Sequence, residues 1–356
     1  FVAASILDKV SGRLMVWKWQ DGRWQAQAVP ELPGGALEMT DQPWGGDVLY
    51  LAASDFVTPL TLFALDLQVN ELSVLRRQPK QFDAAGTAVQ QFDAAGTAVQ
   101  QFWAKSADGV EIPYFHVGTP SEQPVPTIVY VYGGFAVAEL PHYLGLLGRH
   151  WLSLGYAFVV ANVRGGGEFG PTWHQAAILK NKHKSVEDLL AVVHDLHARG
   201  LSTTEQTGLQ GGSNGGLMVL AAMVDEPDSM GAVVAEVPLA DMLRYPHLSS
   251  GASWLAEFGD PHSEDEDIQR ALYDLSPYHR IAHQRTYPAT LLTTSLSDDR
   301  VHPAHAFKTY ARLQQLEQAS WLYCPEDGGH TGNTTQEELA DETAVIMTFF
   351  AQQLAN

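Results

Sequence analysis

The first 103 residues alternate apolar and polar positions with the short period that is typical of β-strands. The stretch GRLMVWKWQDGRWQAQAV predicts two strands around Asp21-Gly22, a dipeptide that favours a tight hairpin turn. DVLYLAAS and PLTLFALDL predict two further strands, separated by turn residues. Because no long helical period appears here, we expect residues 1–103 to form an antiparallel β-domain.

An identical repeat occurs near the end of this region, because residues 81–90 and 91–100 both read QFDAAGTAVQ. Solenoid proteins use repeats of roughly 20–50 residues in several copies. We therefore interpret the repeat as a tandem duplication without a function of its own. One copy is predicted to form the linker strand, and the other is predicted to bulge out as a loop.

From residue 104 onward, apolar runs alternate with helical periods. The predicted strands are PTIVYVYGG, YAFVVANVRGGG, TGLQGGS, GAVVAEVP, YPATLLTTS and SWLY. The predicted helices are KSVEDLLAVVHDLHARG, NGGLMVLAAMV, PAHAFKTYARLQQL and TTQEELADETAVIMTFFAQQL. In the first helix we expect Ser185 as the N-cap, Asp188 in the capping-box position and Gly200 at the end, and we expect Pro303 near the start of the third. The alternation predicts a parallel sheet that is covered on both faces, within residues 104–356.

The motif GGSNGG joins a predicted strand to a predicted helix and contains the pattern G-x-S-x-G at residues 211–215. Such an elbow forces its serine, Ser213, into a strained turn, so the flanking positions must lack a Cβ that would clash. The serine oxygen would project above the sheet edge, where backbone N–H groups of the helix point toward a developing oxyanion. The alternative is a glycine-rich turn whose serine has no chemical role.

The rest of the chain supplies partners for a nucleophilic serine, which needs a base and an acid that orients the base. ATLLTTSLSDDRVHP has two adjacent acids after a strand, and WLYCPEDGGHTG has His330 in a glycine-flanked loop after the next strand. The order serine, aspartate, histidine is the order of hydrolases with this elbow. Among the 14 histidines, His330 alone has this placement.

Five motifs, VYGGF, NVRGGGEFG, GGSNGG, SDDRV and GGHTG, occur in the order and spacing of the prolyl oligopeptidase family of serine peptidases, which the chain resembles over residues 104–356. The resemblance implies an α/β-hydrolase fold with a mostly parallel, doubly wound sheet. It also implies that Ser213 is the nucleophile, His330 the general base and Asp298 the orienting acid. Asp299 is the alternative acid, and the sequence alone does not separate the two.

The same resemblance assigns residues around the triad. The backbone N–H of Asn214 and the hydroxyl of Tyr132 would form the oxyanion hole. Arg300 would hold a peptide carbonyl of the substrate, and its alternative role is a surface ion pair with Asp298 or Asp299.

The resemblance further implies an apolar, aromatic pocket for a proline side chain. The matching positions are Phe135, Leu239, Trp254, Phe258 and Val301. A flat indole face suits a pyrrolidine ring, and we expect Trp254, in the loop SSGASWLAEFGD, to be exposed to the pocket. At Phe258 the family often has tyrosine, so one polar contact of the family would be missing here.

Two further segments are interpreted as structural. RGGGEFG, which contains Arg164 and Glu168, is expected to brace the loop beneath the site, and it lacks the G-x-G-x-x-G spacing of a dinucleotide site. HSEDEDIQR is expected to be a solvated acidic segment. Because no metal-ligand spacing or phosphate loop appears, we expect neither a metal nor a cofactor.

Composition narrows the classes of partner. The formal net charge is −20, which disfavours nucleic acid and anionic membranes, since both bind basic patches. The single cysteine, Cys324, excludes an internal disulfide and a thiolate metal cluster, and the lack of disulfides favours the cytoplasm. No apolar run reaches the roughly 18 residues of a membrane span. The expected partner is a short peptide or ester substrate.

The resemblance also concerns what precedes the hydrolase, because the family carries a seven-bladed β-propeller there. Residues 1–103 suffice for roughly two four-stranded blades, and the chain lacks an initial Met, so we expect it to be the C-terminal part of a longer protein. Exposed edges of a partial propeller would favour a homo-oligomer.

Two function classes remain open at this point. One is a post-proline serine peptidase that acts on short peptides. The other is a promiscuous carboxylesterase that uses the same triad in an uncapped site. A scaffold with a dead triad would need a missing catalytic residue, and none is missing.

Overall fold

The computed structural model describes residues 1–40, 46–82, 97–330 and 335–355. Most of the duplicated segment, residues 83–96, lies outside the described residues. The interpretation of the two copies as a linker strand and a loop is therefore not tested by the structure.

The chain divides into two compact units. The first contains Phe1–Gln100 and Leu140–Leu154, and the second contains Gln101–Glu139 and Gly155–Asn356. The domain boundary between residues 103 and 104 stays a prediction. All of the candidate site residues belong to the second unit.

The first unit consists mainly of antiparallel strands. Its strands are β1 (Val2–Asp8), β2 (Ser11–Gln20), β3 (Arg23–Gln27), β4 (Ala36–Met39), β5 (Val48–Ser54), β6 (Thr61–Asp66) and β7 (Glu71–Arg77). β1 to β3 form one sheet and β4 to β7 form another. Asp21 and Gly22 have φ of 52° and 75°, as the two-residue hairpin between β2 and β3 requires, which confirms the predicted turn. The unit also contains helix α1 (Gly145–His150) and the 3-10 turn Leu152–Leu154.

Most of the second unit is built on an eight-stranded sheet. Its strands are β8 (Ala98–Lys105), β9 (Glu111–Gly118), β10 (Thr127–Val131), β11 (Ala157–Ala161), β12 (Thr207–Gly212), β13 (Ala232–Glu236), β14 (Ala289–Thr293) and β15 (Ser320–Tyr323). They lie in the order β15-β14-β13-β12-β10-β11-β9-β8. The pairs from β11 through β15 are parallel, whereas β9 runs antiparallel to β11. The predicted mostly parallel sheet is confirmed, and its apolar strands are buried as parallel strands must be.

Helices and short 3-10 turns connect these strands. The helices are α2 (Pro171–Gln175), α3 (Lys184–Ala198), α4 (Asn214–Asp225), α5 (Leu255–Phe258), α6 (Glu266–Asp274), α7 (Pro277–Arg280), α8 (Ala304–Gln315) and α9 (Gln336–Leu354). The 3-10 turns are Leu179–Asn181, Pro227–Ser229, Tyr245–His247 and Gly251–Trp254. Pro303 is the N-cap of α8, as predicted near its start. Across the described ranges, no helix has the length and apolarity needed to cross a membrane.

The N-terminus of α3 differs from the prediction. The helix begins at Lys184, so Ser185 lies inside its first turn and is not the N-cap. The Ser185 hydroxyl donates to the Arg164 carbonyl at 2.7 Å, and the Asp188 carboxylate accepts from the Arg164 side chain at 2.6 Å. Both polar side chains are therefore used to satisfy a buried arginine, and Asp188 has no capping role. The predicted end is confirmed, because Gly200 follows the helix with φ of 69°.

The acidic segment HSEDEDIQR is largely exposed, as predicted, but the sequence pattern did not reveal that part of it is helical. Its last residues begin α6, and the Asp265 carboxylate accepts a hydrogen bond from the Asp267 backbone N–H at 2.9 Å. This is an N-cap, which satisfies a backbone donor that the helix itself leaves unpaired.

Candidate active site

Ser213 lies on a sharp turn between β12 and α4. Its φ of 56° and ψ of −113° are strained for a residue with a side chain. Three backbone hydrogen bonds fix the turn: Ser213 N–H donates to the Glu236 carbonyl at 2.8 Å, and the Ser213 carbonyl accepts from Leu217 at 3.2 Å and Leu239 at 3.3 Å. The elbow predicted from GGSNGG is present in the structure, with its serine at the N-terminus of a buried helix.

The glycines of the elbow are not equivalent. A Cβ on Gly215 would lie 2.2 Å from the Val131 carbonyl oxygen, and one on Gly211 would lie 2.5 Å from backbone atoms of Gly215. A Cβ on Gly212 would meet nothing closer than 3.8 Å. The expectation that all flanking positions must lack a Cβ is therefore wrong for Gly212, because its neighbours leave ordinary contact space.

This difference predicts the stability of two alanine variants. Gly215→Ala should lower the free energy of unfolding by at least about 1–3 kcal/mol, because the added Cβ would force backbone atoms to move apart. Gly212→Ala should change it by less than about 1 kcal/mol. Chemical denaturation of the two variants beside the parent chain measures both values. Equal destabilisation by the two substitutions would show that the elbow is not packed as described.

Tyr132 lies beside the elbow, because its backbone carbonyl accepts a hydrogen bond from the side chain of Asn214, the residue after Ser213. Burial raises the pKa of Tyr132 above its ordinary value. The positive charge of Arg300 and the polar side chain of Ser213 act in the opposite direction, and the charges of Glu139 and Glu257 act with burial. Because the net shift is upward, Tyr132 keeps its proton at neutral pH and can donate a hydrogen bond there.

The side chain of Asn214 lies behind this tyrosine. It is buried, and its Nδ2 donates to the Tyr132 backbone carbonyl. Gly134 allows this approach, because a Cβ there would lie 2.6 Å from the same Nδ2. The backbone N–H of Asn214 belongs to the first turn of α4, where N–H groups lack partners within the helix. Both predicted oxyanion donors thus lie on segments that are fixed to each other.

Of the two adjacent acids, Asp298 contacts the histidine. His330 Nδ1 lies 2.9 Å from Asp298 Oδ2, and the Asp298 side chain is fully buried. Its other oxygen, Oδ1, accepts from the backbone N–H groups of Arg300 at 3.0 Å and Val301 at 2.9 Å. Asp299 is exposed, and its backbone carbonyl accepts from a serine hydroxyl at 3.4 Å. The geometry therefore favours Asp298 as the partner of His330.

The predicted pocket residues all belong to, or pack against, the large apolar cluster that forms the core of the second unit. Leu239, Trp254, Phe258 and Val301 are buried in it, and Phe135 packs against it. The rings of Phe135 and Phe258 meet edge to face, with centroids 5.7 Å apart. Trp254 is only 7% exposed, so the expected exposure of its side chain is wrong. Trp254 ends the 3-10 turn Gly251–Trp254, and its side chain is buried in the apolar cluster instead of facing solvent.

Three residues beside this cluster were not predicted. Lys182 and Glu257 are buried and form an ion pair of 2.6 Å, and His174 Nε2 lies 2.8 Å from the other Glu257 oxygen. A charge inside the apolar run WLAEF could have signalled Glu257, because a buried carboxylate needs a partner. Nothing in the surroundings of Lys182 in the sequence marks it as that partner.

The RGGGEFG loop packs against the backbone after Tyr132. The Gly165 carbonyl accepts from the Ala136 N–H at 3.2 Å, and the Gly167 N–H donates to the Val137 carbonyl at 3.0 Å. Arg164 is buried and anchors the loop through its bonds to Asp188. The prediction that this motif braces the site is confirmed.

Comparison with known proteins identifies the family of the chain. The profile of the family described as the Prolyl oligopeptidase family, Peptidase_S9, matches residues 147–356. The chain belongs to the prolyl oligopeptidase family. The resemblance found in its motifs is thereby confirmed.

Relatives in this family are similar along most of the chain. An uncharacterized peptidase, y4nA, of Sinorhizobium fredii (strain NBRC 101917 / NGR234) is 36% identical, and the alignment covers 98% of this chain and 47% of the relative. A prolyl endopeptidase of Elizabethkingia miricola is 31% identical, with 90% of this chain and 44% of the relative covered. The chain thus spans about half the length of these relatives.

Solved structures agree with this assignment. A structure from a study of two prolyl endopeptidases has a TM-score of 0.87 at 29% identity, covering 99% of this chain and 51% of that one. A post-proline cleaving enzyme from Rickettsia typhi has a TM-score of 0.86 at 30% identity, covering 99% and 50%. Together with the sheet order, these similarities confirm the predicted α/β-hydrolase fold of the second unit.

Proposed function

We propose that the chain is the catalytic part of a serine peptidase that cleaves short peptides after proline. The observation that carries the proposal is the buried Asp298 carboxylate 2.9 Å from His330 Nδ1, in a chain whose Ser213 occupies a strained elbow. An acid at Nδ1 fixes the tautomer in which Nε2 is free to accept a proton. The two adjacent acids of the sequence thereby acquire different roles.

The reaction would proceed through an acyl-enzyme. Ser213 Oγ attacks the scissile carbonyl carbon as His330 Nε2 takes its proton, and His330 then gives that proton to the leaving amine. A water, deprotonated by the same nitrogen, attacks the ester, and Ser213 recovers its proton as the acid product leaves. The negative oxygen formed in each step would receive hydrogen bonds from the Tyr132 hydroxyl and the Asn214 backbone N–H.

Two observations support a preference for proline: the apolar cluster, and the hydrogen bonds that already occupy the Glu257 carboxylate beside it. The half-buried ring of Phe135, which packs edge to face on the buried Phe258, suits a pyrrolidine ring, which offers no hydrogen-bond donor. Glu257 already bonds Lys182, His174 and the Phe135 backbone N–H. It therefore has no unpaired charge to offer a basic side chain, which supports proline over lysine or arginine at the cleaved position.

Arg300 provides the test that separates peptidase from esterase. Its side chain is exposed, and its positive charge opposes the effect of burial on the pKa of Tyr132, which supports a place for it near the reacting carbonyl. A peptide has that carbonyl, whereas a two-carbon nitrophenyl ester lacks it. Losing a charge-assisted hydrogen bond of about 1.5–3 kcal/mol predicts that Arg300→Ala slows cleavage of a blocked Gly-Pro substrate by about 10- to 100-fold. Ester turnover should change by less than about threefold.

Kinetics of both substrates on the parent, Arg300→Ala and Arg270→Ala check this expectation. Arg270 is an exposed arginine on α6, so its loss removes the same charge from the same unit and should affect neither substrate. A parent chain that hydrolyses the ester but no prolyl peptide would sink the peptidase proposal in favour of the esterase. Equal losses on both substrates would remove the substrate-binding role of Arg300.

A further inference from the structure

The loop after β10 has an unusual backbone. Gly133, Phe135 and Ala136 have φ of 63°, 55° and 55°, so three of four consecutive residues adopt the left-handed region. Glycine tolerates this region, but residues with a Cβ occupy it only where surrounding contacts hold them. This loop, residues 132–136, carries both the Tyr132 hydroxyl and the Phe135 ring. Its conformation therefore needs an external support.

A buried ion pair supplies that support. Glu257 Oε1 accepts from the Phe135 backbone N–H at 3.0 Å and from Lys182 Nζ at 2.6 Å. The same Nζ donates to the Gly133 carbonyl at 2.9 Å. The pair thus holds the peptide groups on both sides of Gly134, which are the groups that define the turn.

The Glu257 carboxyl favours its charged form in this buried position, whereas burial lowers the pKa of Lys182 against the effect of Glu257. Burial acts to raise the pKa of the Glu257 carboxyl, but the charge of Lys182 and the hydrogen bonds from His174, Lys182 and Phe135 outweigh it, so the pKa lies below its ordinary value. Hydrogen bonds to a charged group are stronger than neutral ones. The carboxylate can therefore fix a strained loop more firmly than a neutral acceptor could.

Glu257 also lies next to the apolar cluster. It precedes Phe258 in α5, and Lys182 Nζ lies 5.6 Å from the Phe258 ring centroid. The Phe258 ring in turn contacts Phe135 edge to face. One ion pair therefore fixes the loop, the ring of Phe135 and the ring that faces it.

We propose that Lys182 and Glu257 are positioning residues that hold the 132–136 loop in its left-handed conformation, so that the Tyr132 hydroxyl is aimed at the reacting oxygen. The inference rests on the proposed function, because it needs a reaction in which that oxygen becomes negative. Neither residue touches the substrate, and both act through Tyr132.

The first test is the rate with two substrates. Lys182→Met and Glu257→Gln keep the side-chain length while removing one charge each. Misplacing a donor by about 1 Å can cost about 10²-fold, so kcat should fall by about 10- to 100-fold, with a smaller change in KM. Because prolyl peptides and small esters develop the same negative oxygen, kcat should fall equally for both, unlike the result for Arg300→Ala. A disturbed Phe135 ring would instead raise the KM of the prolyl peptide alone.

The decisive test combines each substitution with Tyr132→Phe, which alone should lower kcat by about 10²–10³-fold. If the pair acts through Tyr132, Glu257→Gln should cost less than about threefold once that hydroxyl is gone. If kcat of the double variant instead falls by the product of the two single losses, the inference is overturned. An unchanged kcat in the single variants would overturn it as well.

A matched control tests the loss of an ion pair as such. Arg280→Met breaks a 2.6 Å pair with Asp225, at the far end of α4. Arg280→Met should leave kcat unchanged, both in the parent chain and in the Tyr132→Phe variant.

Where a single charge removal prevents folding, the double variant Lys182→Met/Glu257→Gln removes both charges together, which is often tolerated. A parent chain without any hydrolysis would count against the proposed function, whereas an active parent with additive variants would count against this inference alone.

Discussion

Ser213→Ala is expected to lower hydrolysis by roughly 10⁴-fold or more and to abolish covalent labelling by a fluorophosphonate. The elbow holds Ser213 in the strained turn between β12 and α4, beside Tyr132, which is the position that the proposed reaction requires of the nucleophile. Intact-protein mass spectrometry of the labelled chain, together with turnover of a blocked prolyl peptide, measures both effects.

An exposed serine serves as the control. Ser121 lies in a surface turn, where its hydroxyl donates to the Gln123 carbonyl at 2.8 Å, and Ser121→Ala should label and turn over like the parent. Labelling of the Ser213→Ala chain at any other serine would show that the elbow does not hold the nucleophile.

Asp298→Asn is expected to cost about 10⁴-fold in kcat, because an amide in place of the carboxylate would favour the wrong tautomer of His330. Asp299→Asn should change kcat by less than about threefold, since Asp299 is exposed and its loss affects only a solvated charge. The two substitutions are matched in chemistry and differ by one position in the chain. Steady-state kinetics on one substrate compares them directly.

The contrast between the two acids carries this prediction. The Asp298 side chain is fully buried, and backbone N–H groups of Arg300 and Val301 hold its second oxygen. Losses of similar size in the two variants would mean that His330 is oriented by something other than the 2.9 Å contact.

The sequence predicted those features that depend on neighbours in the chain. The hairpin at Asp21-Gly22 follows from two residues that tolerate positive φ, and the elbow at Ser213 follows from glycines within two positions of it. The buried strands follow from apolar runs, because parallel strands bury both faces. In each case the physical cause lies within a few residues of its effect.

What the sequence did not predict depends on distant partners. Lys182 and Glu257 are 75 positions apart, so no local pattern joins them. Asp188 resembles a capping residue in its own helix, but it bonds Arg164, which lies 24 positions earlier. The local capping pattern therefore indicates the wrong partner, because Arg164 lies outside the helix. The choice between Asp298 and Asp299 likewise needed the position of His330, which lies 32 positions from Asp298.

The strained backbone of Ser213 also bears on how this chain can evolve. A residue with a Cβ in such a conformation costs about 1–3 kcal/mol, a large fraction of the about 5–15 kcal/mol that separates folded from unfolded domains. Glycine would relieve that strain but would remove the hydroxyl, so selection for turnover keeps the molecule below the stability it could reach. A related chain that no longer needs hydrolysis could replace this serine by glycine and gain stability. Glycine at this position of a relative would therefore indicate that hydrolytic activity has been lost.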